Sequence, residues 1–542
     1  MNILRKYSLS EDFDTPRIVR TSRHSRSSQM ENELLAGDLL DAAHGKHPAI
    51  VFENLETYSH GELDQLANRF AHCFQTRLAR HGGPVSFLVG NDPLLVAALF
   101  GAFRAGVVAN PINIRLTPPE IAYILNHAES RLVVVGNDYH ELFLEVLPLL
   151  SDPPAVFVLR GPEADDALRD SSPQPARASL QPEDPALLIY TSGTTGHPKG
   201  VVLSHRNLTQ AVRIVQRGFA IESSDRSFCV MPLFHTNALM FSHLPFLAAG
   251  ATVVLRKRFS ASRFWSECLG QRATVASASP TILALLLEHE ATGPACGETG
   301  LKYLKVASAP TPIELAERFE ARFGKGLLLE TYGLTETTAI STMNPLRGPR
   351  RFGSIGKALE PQELAVLDEQ RRPVAAGRAG ELALRGPTIM KEYLKAPEQT
   401  REAMHGDWFL TGDMAVADED GFVRIVGRKK EMILRGGENI SPLEVEQAAL
   451  EHPAVREAAA VGLADAIWGE TVGLAVVAAG PIDAEELLGF CSTRLSAFKL
   501  PQHIAFVQEL PRNAMGKVLR PRVRECFETE PAGTPRQTGS RT

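Results

Sequence analysis

The stretch Tyr190–His205 reads YTSGTTGHPKGVVLSH, and its reading decides the fold. The apolar run ALLIY (Ala186–Tyr190) leads into it and VVLSH closes it, so a polar turn is framed by strand-like segments. Glycines permit close backbone approach and hydroxyls donate hydrogen bonds, which are the materials of an anion site. The Walker A pattern fails, because the position five residues after Gly193 is Pro198 and Gly200 follows Lys199. Thr191, Ser192, Gly193, Thr194, Thr195 and Gly196 remain candidates to wrap a triphosphate, with Lys199 supplying charge. The plainer alternative is a flexible polar turn, but donors are too dense here for that to be favoured. The stretch holds no evident general base, metal-ligand set or acyl nucleophile, so the rest of the chemistry must come from elsewhere in the chain.

Outward from this stretch, strand-like and helix-like pieces alternate. AIVFE and VSFLVG are short apolar runs, and between them Leu63, Leu66, Phe70 and Phe74 recur at near-helical spacing. AAGATVVL and LLLETYG repeat the theme, which predicts an α/β fold of mainly parallel sheets covered by helices. Ser151–Pro185 is rich in Pro, Ser and Asp and reads as a surface connection. After about Arg350, short segments split by Gly and Pro predict a small, barrel-like antiparallel β subdomain. A mobile α+β unit of about 100 residues is expected to close the chain. The 542 residues exceed one core. The expected division is a disordered leader over 1–32, a large domain over 33–428, a hinge at 427–431, a small domain over 431–528 and a disordered tail over 529–542.

With 44% hydrophobic and 22% charged residues the composition is that of a globular enzyme, and a net charge of −6 argues against nucleic acid as a partner. The six cysteines are scattered, without a CxxC pair, which fits a reducing, cytoplasmic compartment. No apolar run reaches ~18 residues, so no transmembrane segment is expected; Pro93–Phe103 reads as a buried helix. The leader has no signal-peptide core and the tail no Ser-Lys-Leu address.

Four further segments stand in order behind the opening one: YGLTETT (Tyr332–Thr338), WFLTGDMA (Trp408–Ala415), GRKKEMILRGGENISPLEVE (Gly427–Glu446) and PRNAMGK (Pro511–Lys517). Together the five resemble the signature of the adenylate-forming superfamily, in its acyl-CoA synthetase branch, over roughly residues 35 to 525. The resemblance implies two half-reactions: a carboxylate attacks the α-phosphate of ATP, giving acyl-AMP and pyrophosphate, and the acyl group then passes to a thiol, usually that of CoA. It implies ATP, Mg²⁺ and CoA as cofactor and co-substrates. Glu336 would hold Mg²⁺, with Thr191 as a second metal contact, and Thr335 would donate to the α-phosphate. Tyr332 would stack on adenine, beside a loop containing Ser308, Ala309 and Pro310. Asp413 would accept from the ribose hydroxyls and Arg428 would assist there. Lys517 would stabilise the transition state of adenylation, swinging in about a hinge at Lys430. Arg435, Gly436 and Gly437 would line the CoA channel in the other pose.

The segment MPLFHTNALMFSHLPFL (Met231–Leu247) bears on the substrate. Relatives that activate α-amino acids place Asp after the phenylalanine; His235 stands there instead, near the expected acyl carbonyl. Two departures concern the pocket. Ala307 and Ser308 replace the usual glycines, and Glu330-Thr331 replaces a more common Gln-Gly or Asn-Gly. The leading expectation is an ATP-dependent carboxylate–CoA ligase acting on a small-molecule acid. A carrier-protein thiol as acceptor, or a non-catalytic acyl- or nucleotide-binding regulator, are the alternatives. The acid itself and the oligomeric state are not legible.

Overall fold

The computed structural model describes residues 34–40, 42–78, 83–176, 178–191, 198–289, 293–338, 340–436, 438–512 and 518–527. Two large sheets dominate. The first has nine strands, with six parallel ones in the order Pro48–Val51, Thr252–Leu255, Arg226–Cys229, Val275–Ala278, Tyr303–Val306 and Leu328–Tyr332. Short antiparallel strands flank them at both edges. The second has seven strands, five of them parallel and running out from Pro185–Thr191 to Ala155–Val158.

One apolar cluster draws side chains from both sheets, among them Ile50, Val253, Phe87 and Leu187. The helix Pro93–Ala105 belongs to it and all its residues are buried, as its unbroken apolar run demands. Its one charge, Arg104, is neutralised by Asp64 at 2.7 Å. The helix His60–Leu78 carries Leu63, Phe70 and Phe74 on its buried face, the period seen in the sequence.

Ser151–Pro185 departs from its sequence reading. It is more than a surface connection, because it contains the strand Ala155–Val158 and the helix Pro162–Asp170. The strand is only four residues long and sits at the sheet edge, with one residue fully buried, so its apolar signal was drowned by the polar text around it.

Beyond Arg350 the chain forms a five-stranded antiparallel sheet, centred on Trp408–Ala417 and Ala379–Arg385. A last five-stranded sheet follows, built on the long antiparallel pair Val455–Asp465 and Gly469–Ala478. It is packed by Pro442–Leu450 and Ala484–Ser492 around its own apolar cluster. The architecture is therefore a large N-terminal α/β domain and a small C-terminal α+β domain. Among the described residues no helix is long and apolar enough to cross a membrane.

Candidate active site

The opening stretch is a β-hairpin. Pro185–Thr191 pairs antiparallel with Lys199–Ser204, and Thr191 faces Lys199 across the hairpin mouth. The tip, residues 192–197, lies outside the described residues, and with it the expected phosphate contacts Ser192, Gly193, Thr194, Thr195 and Gly196. Behind the hairpin Ser204 caps the helix His205–Gly218, accepting from the Asn207 amide at 3.1 Å. His205 accepts from the Ala36 amide at 3.2 Å, and burial holds its pKa near 4, so it ties the segment at Ala36 to the helix as a neutral ring.

Lys199 leans over the Tyr393 ring, 4.8 Å from its centre. Tyr393 lies on a two-residue strand that extends the hairpin, and its hydroxyl donates to Glu336 Oε1 at 2.9 Å. The Glu336 backbone carbonyl accepts from the Met390 amide at 2.7 Å. Burial, then the nearby Lys430, lowers the pKa of Lys199, while Glu336 and Glu402 oppose the shift. Hairpin lysine, aromatic and carboxylate thus converge. Tyr393 was missed in the sequence. Its signal was faint, one aromatic in MKEYLKAPE with no recognisable spacing to the hairpin.

A second group forms where the strand Leu328–Tyr332 ends. The Tyr332 hydroxyl donates to Asp413 Oδ2 at 2.5 Å, and Arg428 Nε meets Asp413 Oδ1 at 2.6 Å. Asp413 and Arg428 are directly opposed in adjacent antiparallel strands, which fixes the pair. Asp413 is buried, and its amide donates to Thr411 Oγ1 at 3.1 Å. Burial first, then the Asp413 charge, holds the Tyr332 hydroxyl protonated far above neutrality.

The third group lies at the ends of Arg226–Cys229 and Tyr303–Val306. Thr335 and Thr236 share a hydroxyl–hydroxyl hydrogen bond of 3.0 Å. His235 packs edge-on against Phe234, and burial, then the charge of Arg115, holds its pKa near 4, so it is a neutral ring at pH 7. Ser308 turns with φ +79°, accepts from Asn237 Nδ2 at 2.9 Å, and is exposed together with Ala309 and Pro310. His235, Ser308, Tyr332, Thr335 and Glu336 sit at or beyond the carboxyl ends of parallel strands, where open α/β sheets bind ligands; Lys199 and Tyr393 come from the neighbouring hairpin and its added strand, and Asp413 and Arg428 from the antiparallel sheet.

Lys430 lies in a short turn between the antiparallel sheet and the small domain; its neighbour Lys429 pairs with Glu381 at 2.8 Å. Arg435 and Gly436 begin the turn of the hairpin Ile433–Arg435/Glu438–Ile440. Arg435 donates to the Phe498 carbonyl at 2.6 Å and stacks over Trp468 at 5.6 Å. Gly436 has φ +59°, and a Cβ there would come within 2.8 Å of Trp468. Gly437 and Lys517 lie outside the described residues.

Glu336 fits a magnesium–nucleotide. One carboxylate oxygen is held by Tyr393. Among the described residues no group of three or more His, Cys, Asp or Glu side chains is arranged to hold a metal by itself. A single protein carboxylate leaves the other positions to phosphates and water, the usual manner of Mg²⁺.

The AMP-binding enzyme family matches residues 41–394, and the AMP-binding enzyme C-terminal domain matches residues 444–517. The chain belongs to this family, the CoA-ligase branch of the adenylate-forming enzymes. It is 40% identical over 452 residues to the sulfoacetate–CoA ligase of Cupriavidus necator, covering 81% of this chain and 86% of that one. It is 33% identical over 521 residues to the oxalate–CoA ligase of Arabidopsis thaliana, covering 93% and 100%. Among solved structures, ATP-bound MatB from Rhodopseudomonas palustris superposes with a TM-score of 0.83 at 30% identity over 92% of this chain and 99% of that one. The o-succinylbenzoate CoA synthetase of Bacillus subtilis with ATP and magnesium gives 0.79 at 28% identity over 89% and 97%. The protein is an AMP-forming acid–thiol ligase, and it uses ATP, Mg²⁺ and CoA.

Proposed function

We propose that this enzyme joins a small carboxylic acid to CoA in two half-reactions carried out in one cleft. The observation that supports it most is the convergence of Lys199, Tyr393 and Glu336 on one side with Tyr332, Asp413 and Arg428 on the other. In this reading Asp413, held rigid by Arg428 and Tyr332, accepts from the ribose diol. Tyr332 keeps its ring for adenine while its hydroxyl orients Asp413. Lys199 and the hairpin tip neutralise the outer phosphates, with Thr191 at the tip's base. Glu336 holds the Mg²⁺ of the nucleotide, which supplies charge neutralisation on the phosphates. Tyr393 fixes which oxygen of Glu336 stays open. Thr335, steadied by Thr236, donates to the α-phosphate.

The acid's own oxygen is the nucleophile, so no basic side chain is required; preorganised positive charge is. Lys517 supplies the last of it at the bond being made. The neutral ring of His235 borders the acyl carbonyl, and Ser308, Ala309 and Pro310 edge the pocket. A turn about Lys430, between a domain of residues 33–428 and one of 431–528, then exchanges Lys517 for Arg435, Gly436 and Gly437, which guide the thiol arm. Two relatives are named for sulfoacetate and oxalate, acids with a second anionic group. The six free cysteines support a reducing compartment such as the cytoplasm.

The deciding experiment separates the half-reactions. Lys517→Ala is expected to lower acid-dependent pyrophosphate release by about 100-fold or more while leaving thioester formation from supplied acyl-AMP within a few-fold. Equal loss of both steps in a folded variant overturns the two-pose reading. Thioester formation on a carrier protein in preference to CoA replaces the acceptor.

A further inference from the structure

Beneath the acyl side of the cleft lies a cation with no anion. Lys305, in the strand Tyr303–Val306, is fully buried. Its ammonium donates to Asn237 Oδ1 and sits 4.5 Å from the centre of the Phe241 ring. Among the described residues no carboxylate pairs with it. The thiol nearest it is neutral: burial pushes Cys229 up to about 12. Ser277 lies directly opposite Lys305 in the next strand, and its hydroxyl finds no partner.

Such an arrangement is expensive for a fold. A buried, unneutralised ammonium is disfavoured, and its pKa falls to about 7 through burial. Apolar side chains of similar volume usually pack such a site as well or better. Its presence beside Asn237 and the unpartnered Ser277 hydroxyl points to a ligand that completes the pair.

Two features connect Lys305 to the cleft. Asn237 is half-exposed; its Nδ2 donates to Ser308 Oγ at 2.9 Å while its Oδ1 accepts from Lys305. One carboxamide therefore stands between the ammonium and the exposed Ser308–Pro310 edge. Thr331 lies on the sheet face that carries Lys305, buried, its hydroxyl directed at the Val306 carbonyl 3.4 Å away. We propose that Lys305 receives a second anionic group, a carboxylate or a sulfonate, on a short acyl substrate whose reacting carboxylate lies at the Ser308–Thr335 end, with Asn237 turning to admit it. This rests on reading the cleft as an acid-activating site. The same ammonium opposes acids that carry a quaternary ammonium, and it gives a long hydrocarbon tail a charged wall.

The test uses the full chain with ATP, Mg²⁺ and CoA, measuring pyrophosphate release with oxalate, sulfoacetate and succinate against acetate, propionate and butyrate. The acids with two anionic groups are expected to exceed the others in kcat/KM by about 100-fold, and the carboxylate and sulfonate arms tell which group is preferred. Lys305→Met should erase that advantage chiefly through KM while leaving propionate turnover within a few-fold. Asn237→Asp, which supplies the missing carboxylate from the protein, should do the same even if Lys305→Met fails to fold. Without turnover as a readout, the best two-anion acid should raise the melting temperature of the wild type and not of Asn237→Asp. Preference for uncharged acids in the wild type, or an unchanged preference in both variants, overturns the proposal and leaves the ligase reading intact. Pyrophosphate release with none of these or of longer and aromatic acids removes the ligase reading, and the proposal with it.

Discussion

Lys305 and Glu330 sit on neighbouring strands and carry opposite penalties. Burial drops the Lys305 pKa from 10.5 to about 7 and lifts that of Glu330 from 4.5 to about 8. For Glu330 the charged form is disfavoured in the fold, although the Gly353 amide and Thr311 partly offset this. The cost to stability is absent below pH 4.5, grows as the pH rises and is complete above 8. Glu330→Gln should therefore leave the melting temperature nearly unchanged at pH 5 and raise it at pH 9, a gain on the order of a few kcal/mol. A melting temperature that falls at pH 9 would show the carboxylate to be stabilised. For Lys305 the sign is reversed: the cost is full below pH 7 and vanishes as the pH approaches 10.5. The Lys305→Met protein should gain stability at pH 6 and little at pH 10. Both residues are visible in the sequence, but only the Glu330 departure from related text drew notice there. Nothing in the sequence around Lys305 singles it out, because its burial is decided by the strands and side chains packed against it.

At the scale of elements, hairpins do much of the positioning. The hairpin Pro185–Thr191/Lys199–Ser204 sets Thr191 against Lys199, and the strand Glu392–Tyr393 added to its edge delivers an aromatic about 190 residues away in sequence. The flanking strands were legible as apolar runs around a turn. The added edge strand was not, since two residues carry no period. In the small domain the hairpin Ile433–Arg435/Glu438–Ile440 turns at Gly436, whose φ of +59° and close approach to Trp468 both favour glycine. Gly436→Ala is expected to slow transfer from acyl-AMP to CoA by about 10-fold, with pyrophosphate release within about 2-fold of wild type. Loss of pyrophosphate release instead would assign the hairpin to the first half-reaction. Trp468, half-exposed beside Arg435, is a residue that motif reading passed over.

At the scale of the whole molecule the apolar clusters divide the chain. The small-domain clusters draw on residues from Ile433 onward, and those of the large domain reach no further than Ile425. Between them lies the turn around Lys430. A chain ending at Lys429 should therefore fold, melt cooperatively and bind ATP, yet release pyrophosphate at least about 100-fold more slowly, lacking Lys517. A fragment that fails to melt cooperatively would show that the large core depends on the small domain. The ordered motifs by themselves determined the family and the candidate phosphate, ribose and metal residues, because those roles demand particular side chains at fixed places along the chain, and the alternation of strand-like and helix-like runs determined the α/β class. Strand register and the stacking of elements decided the rest. They set Arg428 against Asp413, laid Tyr393 between Lys199 and Glu336, and drove Lys305 beneath Asn237. Such contacts join residues far apart in the chain, and a burial cost arises only when packing removes a charge from water.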